Sequence, residues 1–323
     1  TPDDAPLQES LYYALLLSGQ QDRARLLAAS FAPHVQAVTG YQTAAVDKIT
    51  LAGGYLINEN NPSISTGSSF DSLNQYGDMA FTSLGINFNL SLRSRLKLGY
   101  QFYNTRFQRS AGGLLLREEQ LAQHQLAAAL EFFTPGSITW GFAGGYYNIE
   151  RNDVGSSHNY SLTAFLGKRF HYTLPEIALS WSDFGGISQY QARGSITYYP
   201  LGNLNLYGIT AAALIQTPKG WTTRQYLFSQ QLGFRLFGQL WVDTGISFGN
   251  HLNYISDHSF TVYDTYDPVM ATASLTLSWY ARRTTWSSGY GWQKKEGYAW
   301  SATNYNKYRY NNHLINIAWS WNF

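Results

Sequence analysis

The stretch Ala271-Thr272-Ala273-Ser274-Leu275-Thr276-Leu277-Ser278-Trp279-Tyr280-Ala281 decides the fold. Ala271, Ala273, Leu275, Leu277 and Trp279 fall on one side of an extended chain. Thr272, Ser274, Thr276, Ser278 and Tyr280 fall on the other, because successive side chains of a strand point to opposite faces. The same division runs through 82–92, where Leu84, Ile86, Phe88 and Leu90 oppose Ser83, Gly85, Asn87 and Asn89. It recurs in 95–103, with Leu96, Leu98, Tyr100 and Phe102 against Arg95, Lys97, Gly99 and Gln101, and in 138–147. The chain ends on Ile315, Ile317, Trp319, Trp321 and Phe323, alternating with Asn316, Ala318, Ser320 and Asn322. No apolar run approaches the ~20 residues of a membrane helix.

Between these segments the connections alternate in length. Short turns fall near 91–94, 134–137, 172–176, 200–203, 237–239 and 281–284, and longer polar stretches at 60–75, 110–116, 151–158, 249–268 and 297–306. Short turns at one end and loops at the other mark an outer-membrane barrel, and the spacing predicts about 14 antiparallel strands between residues 46 and 323. An even number returns both chain ends to the short-turn side, which would be the periplasm.

Composition separates a membrane barrel from a soluble sheet protein. Of 323 residues only 13% are charged while 16% are aromatic, and the net charge is +2. A soluble sandwich covers its outer face with Lys, Glu and Asp. Here the polar face is Ser, Thr, Asn, Gln, Gly and Tyr, and the apolar face is bulky over about ten positions, the length of a tilted membrane strand. Such a sheet must close, since lipid offers no hydrogen bonds to an open edge. Phe132, Phe133, Phe170, Tyr198, Phe237, Trp319, Trp321 and Phe323 gather towards the short turns, and Tyr103, Tyr146, Tyr147 and Tyr160 towards the loops, as interfacial girdles do. A net charge this small gives no field for nucleic acid, and the absence of Cys excludes disulfides, thiol catalysis and Cys-ligated zinc.

Residues 1–45 read differently. Leu7, Leu11 and Leu15 recur as on one helix face, Gly19 suits a helix stop, and Ala24, Leu27, Ala28 and Phe31 share a face of a second helix that Pro33 ends. The expectation is a periplasmic helical hairpin ahead of the barrel. Its small-residue spacing is like the second half of a tetratricopeptide repeat. Thr1 does not look like a native start, so a mature or trimmed chain is expected.

Inward positions follow from the alternation. Arg95, Lys97, Glu131, Arg169, Arg193, Arg235 and Asp243 lie at comparable distances from the short turns and would form a charged belt. Such a belt selects ions by sign; cross-strand Arg–Glu and Arg–Asp pairs that merely stiffen the wall are the alternative. Inward Tyr103, Tyr147, Tyr199 and Tyr280, with Gln101, Gln189 and Gln191, would suit sugar rings and hydroxyls. Inward glycines either leave space or let strands bend. No catalytic constellation emerges. A nucleophile elbow is missing, His124 and Ser161 do not form a convincing pair, and Asp257, Asp264 and Asp267 match no calcium loop. No enzyme, metal or cofactor is expected.

The helical hairpin followed by a barrel ending in Phe323 resembles the exopolysaccharide export porins, such as the cellulose and poly-N-acetylglucosamine secretion proteins. The segment 249–268, with Phe260-Thr-Val-Tyr263-Asp264 and Tyr266-Asp267-Pro268, is similar to a late segment of those barrels, although Asp264 stands where Asn is expected and Ser259 where Gly is. The resemblance implies a passive conduit for a polymer, upstream repeats that engage periplasmic export machinery, and 16 strands as the alternative to 14. The ending Trp319, Trp321 and Phe323 resembles that of bacterial outer-membrane proteins in general, which implies recognition by the barrel-assembly machinery in the outer membrane. A barrel that anchors other outer-membrane subunits, with a blocked lumen, and an uptake channel for small solutes are the competing expectations.

Overall fold

The computed structural model describes residues 5–17, 21–39, 45–59, 72–111, 114–134, 136–151, 155–218, 224–259, 267–281, 283–300 and 305–323. Three helices come first, α1 (Ala5–Leu17), α2 (Gln21–Ala28) and α3 (Pro33–Thr39). Tyr12, Ala24, Ala28, Phe31 and Val35 form their common core, with Leu15 and Leu27 packed against it. Leu7 and Leu11 do not share in it; both are exposed. Tyr12 replaces them, its ring edge-on to Phe31 at 6.4 Å. Pro33 opens a third helix instead of ending the second, a position where its missing N–H leaves no bond unmade. Gly19 lies outside the described residues.

Fourteen strands follow: β1 (Val46–Asn58), β2 (Ser72–Ser91), β3 (Ser94–Ala111), β4 (Leu114–Phe133), β5 (Ile138–Arg151), β6 (Gly155–Lys168), β7 (Thr173–Phe184), β8 (Ile187–Tyr198), β9 (Leu206–Gln216), β10 (Arg224–Phe237), β11 (Leu240–His251), β12 (Val269–Tyr280), β13 (Thr284–Trp300) and β14 (Tyr305–Asn322). Each pairs antiparallel with its neighbours in the chain, and β1 pairs with β14 to close the barrel. The seam runs from Lys48↔Asn322 to Asn58↔Asn312. At its end the Phe323 amide donates to the Asp47 carbonyl at 3.1 Å, and the Thr50 and Ser320 hydroxyls meet across it at 3.0 Å. The count is 14, not 16.

The turn expected at 172–176 lies earlier, between β6 and β7, so that Glu176 is already a strand residue. Several loops are shorter than their polarity suggests, because strands run on into polar sequence once a neighbour pairs with them. β2, β3 and β4 have 20, 18 and 20 residues and β13 and β14 have 17 and 18. β7, β8 and β9 have only 12, 12 and 11. The barrel is therefore tall on one side and low on the other. On the tall side Ser72 and Leu73 of β2 also pair with Trp300 and Ala299 of β13, along the edge that β12 leaves uncovered beyond Val269↔Lys295.

The outer face is apolar and uncovered. Leu162, Ile177, Leu179 and Ile317 are each at least 60% exposed, which a protein in water does not sustain over a whole surface and a lipid bilayer requires. At the short-turn end the face is edged by Trp140 stacked on Phe132 at 4.4 Å and by a row of Trp286, Trp319, Trp321 and Phe323 with successive centroids 6.1–6.4 Å apart. At the loop end the edging is a repeated diagonal pair: Tyr100–His124, Tyr146–His158 and Tyr290–His313, hydrogen-bonded at 2.8, 2.7 and 2.7 Å. An apolar ring with a polar tip suits the boundary between chains and headgroups. Phe133, Tyr103 and Tyr147 are not part of either girdle. Parity turns them inward, where all are buried. The largest polar side chain amid the apolar positions of β10, Gln230, is internally satisfied: it accepts from Thr210 at 2.6 Å and donates to the Tyr198 hydroxyl at 2.9 Å.

Candidate functional site: a strap inside the lumen

The connection from β11 to β12 does not arch away from the barrel. Its described part, 252–259, turns into the lumen and is held by side chains of β5, β6, β7, β8 and β10. The entry is set by Gly249, at φ +152°, where a Cβ would collide with the carbonyl oxygen of Tyr226 on the adjoining strand. The β11–β12 register slips between Phe248 and His251, just as the chain leaves the ladder. Of the four non-glycine residues with positive φ among those described, three are in the strap: Asn253, Asp257 and His258. Asn, Asp and His tolerate the left-handed region best among side-chain-bearing residues.

Wall side chains supply the strap with the partners its backbone would otherwise lack. The Leu252 amide donates to Gln225 Oε1 at 2.7 Å, and Gln189 Nε2 donates to the Asn253 carbonyl at 3.0 Å. Gln191 pairs with Ile255 as a second backbone would, donating to its carbonyl at 2.8 Å and accepting from its amide at 3.1 Å. Ile255 itself is 3% exposed and forms an apolar cluster with Tyr147 and Phe184. At the tip, a short 3-10 turn (Asp257–Ser259) places His258 over the Phe165 ring, stacked at 4.0 Å. His258 Nε2 lies 3.2 Å from Glu176 Oε1, which also accepts from Arg193 Nη1 at 3.2 Å. A polar lumen wall gains these bonds at about 1 kcal/mol each, and more where charge is involved. Burial pushes the Tyr254 hydroxyl above its ordinary pKa, against the opposing pull of Arg193.

The predicted belt residues separate into local groups. Lys97 Nζ sits 2.6 Å from Glu131, and Arg95 lies 3.9 Å from both Glu131 and Asp47, its guanidinium over the Phe133 ring. Arg169 stacks over Tyr199 at 5.0 Å. Arg193 belongs to the strap contact with Glu176. Arg235 donates from Nε to the carbonyl of Gly238 in its own turn at 2.6 Å, and Asp243 accepts from Tyr207. Tyr280 meets Trp241 edge-on at 5.8 Å, and the Tyr103 hydroxyl donates to Gln101. Gln189 and Gln191 hold the strap. Some inward glycines make room for side chains: a Cβ at Gly145 would overlap Tyr147, and one at Gly233 would overlap Tyr207. Ser161 is inward and bonded to Tyr147 at 2.7 Å, on the face opposite His124.

Glu176, Gln225, Phe165 and Ile255 were not singled out by sequence. Glu176 is the one with a signal: an acidic residue at an inward position of a strand whose other inward residues, Ala178, Ser180, Ser182 and Phe184 among them, are uncharged. Of the expected late segment, Phe260, Tyr263, Asp264 and Tyr266 lie outside the described residues. Asp267 is buried, and its carboxylate accepts from the Tyr310 hydroxyl at 2.7 Å. Burial raises its pKa against that bond and the neighbouring Lys295.

Between the strap and the tall wall is a cavity of about 160 Å³, lined by Leu56, Met79, Leu121, Tyr254, Lys295 and Asn312 among others. The strap therefore divides the lumen into a filled side and a hollow one.

Solved structures with this architecture are bacterial outer-membrane barrels. The Pseudomonas putida toluene transporter TodX aligns over 87% of this chain and 90% of its own, with TM-score 0.56 and 7% identity. A Pseudomonas aeruginosa FadL homologue aligns over 86% and 90%, with TM-score 0.54 and 9% identity. A bacterial polysaccharide outer membrane secretin covers 87% of this chain and 100% of its own at TM-score 0.49 and 10% identity. No family model matches the sequence, and a comparison with curated proteins gives no match. At such identities the likeness is one of fold: this chain has the closed, 14-stranded architecture of outer-membrane β-barrels.

Proposed function

We propose that the chain is a passive outer-membrane channel, shut in the described state by its own strap, and that its cargo is saccharide, exported as a polymer. The observation that carries the reading is the pairing of Gln189 and Gln191 with the strap backbone. A wall that holds a chain through side-chain amides, not through strand ladders, can release it without breaking the barrel. The remaining inward surface of Tyr, Gln, Ser and Thr presents stacking faces and exchangeable hydrogen bonds to a sugar chain once the strap has left. The helices preceding β1 support a periplasmic short-turn end with further machinery upstream, and Trp319, Trp321 and Phe323 support delivery by the barrel-assembly machinery. A second reading, a channel for single small solutes, is favoured by the cavity beside the strap.

Planar-bilayer recording tests the proposal. The expected result is gated current that saccharide oligomers block, with Arg169→Glu plus Arg193→Glu shifting ion selectivity towards cations. A barrel that carries no current even with residues 252–259 removed would be an anchor for other subunits and would end the channel reading.

A further inference from the structure

The hollow side of the lumen contains polar groups that the fold leaves unused. Lys295 on β13 is 5% exposed, lines the cavity, and lies within ion-pair or hydrogen-bond distance of no side chain among the described residues. The carboxylate nearest to it in charge, Asp267, is committed to Tyr310. Two amide oxygens on the cavity wall, Oδ1 of Asn312 from β14 and Oδ1 of Asn253 from the strap, are buried without a hydrogen-bond partner. A buried ammonium that has only the longer-range attraction of Asp267 and no hydrogen-bond partner, and two buried acceptors without a partner, each carry a cost of a few kcal/mol in a folded protein. Natural structures seldom gather three such groups around one void unless a ligand meets them. Leu56, Met79, Leu121 and Val269 give the lining an apolar part, and Asn58, Gln123 and Gln293 add to its polar part. Its volume of about 160 Å³ is close to that of an engineered cavity that admits benzene.

From this juxtaposition we infer that the cavity is a binding site for a small hydroxylated carboxylate of about one ring. The carboxylate meets Lys295, hydroxyls donate to Asn312 and Asn253, and the flat apolar face rests on Leu56, Met79, Leu121 and Val269. Both a hydroxybenzoate and a uronic acid have this chemistry, one through its aromatic face and the other through its axial C–H face. Because Asn253 belongs to the strap, occupancy also holds the strap in place. The site goes beyond the channel reading and is tested apart from it, since binding is measured on the closed barrel and needs no current.

The experiment is calorimetric titration of the full chain in detergent micelles with 4-hydroxybenzoate and, separately, glucuronate. Saturable binding of one of them is expected, and which one binds identifies the source. Lys295→Met should weaken that binding by at least about tenfold, the loss of one charged hydrogen bond. The neutral counterpart, 4-hydroxybenzyl alcohol or glucose, should bind wild type and variant alike. Heat-modifiable migration on a gel confirms that the variant barrel has closed. If Lys295→Met does not fold, Met79→Trp, which fills the cavity from β2, must abolish binding. Absence of saturable binding of either anion below ~10 mM, a free energy weaker than about −3 kcal/mol, overturns the inference. Equal affinity for wild type and Lys295→Met, or for wild type and Met79→Trp, overturns it as well.

Discussion

The low wall of β7–β9 and the tall wall of β13, β14 and β1–β4 are built from the same inward alphabet of Gln, Asn, Ser, Thr and Tyr, yet they are used in opposite ways. On the low wall, Gln189, Gln191 and Glu176 are consumed by a segment of the chain itself. On the tall wall, Lys295 and Asn312 border a void. Composition is alike; the difference lies in which strands the β11–β12 connection can reach. On the low wall the strap packs against Phe184 and bonds to Gln189, Gln191 and Glu176, whereas towards the tall wall the cavity separates it from Lys295 and Asn312. In this barrel, the wall that holds the strap decides which part of the polar interior is available to a solute.

The comparison breaks most severely if the strap is removed. Deleting 252–259 and joining the ends with a short Gly-Ser link makes both walls alike. Single-channel conductance should rise severalfold and lose its gating, with the barrel still heat-modifiable. Next comes Ile255→Ala, which takes the apolar anchor from between Tyr147 and Phe184. A large-to-small change at a buried aliphatic costs about 2–5 kcal/mol, so the open fraction in bilayers should grow by more than an order of magnitude. Gln191→Leu removes two hydrogen bonds and should raise opening roughly tenfold, for about 1–2 kcal/mol. The matching change on the tall wall is Gln293→Leu, at a β13 glutamine that lines the cavity; it should leave opening unchanged, and an equal effect of the two would mean that the walls are not distinct.

The smallest effect lies at the rim of the tall wall. Hydrogen bonds from His313 and Asn311 hold the Glu59 carboxyl below its ordinary range. With the folded value lower than the unfolded one, the stabilisation is complete above the ordinary pKa of about 4.3 and is lost as pH falls through the folded value. Glu59 is well exposed, and screening limits the effect to about 0.3 kcal/mol. Thermal unfolding of Glu59→Gln against wild type should differ slightly at pH 7, and the difference should shrink as pH falls below the ordinary carboxyl range.

Period-two patterning made the barrel and its strand count readable, since residues such as Leu275 and Thr276 must part company across a wall. Inward parity likewise placed Arg95, Lys97, Glu131, Gln189 and Gln191 on the lumen side. The strap was not readable, for a physical reason. The segment 249–268 is polar and rich in turn residues, as any loop is, and nothing local distinguishes a loop that projects outward from one that turns in. The decision rests on partners 64 residues away, such as Gln191 for Ile255, and on Gly249, whose need for a bare Cα arises only from the approach of Tyr226. Leu7 and Leu11 misled for a related reason: helical spacing marks a face but not whether anything covers it.

The seam between β1 and β14 sets the order in which this molecule can come into being. Thr50 and Ser320 touch although 270 residues separate them, and the Phe323 amide carries the ladder on to Asp47. Joining chain segments so remote carries the largest loop-closure entropy the topology contains, and contacts of that range slow folding. Closure therefore cannot begin until β14 has been made. Until then Val46–Asn58 presents an unpaired edge, a strand that has to be shielded from strangers while it waits for its final partner.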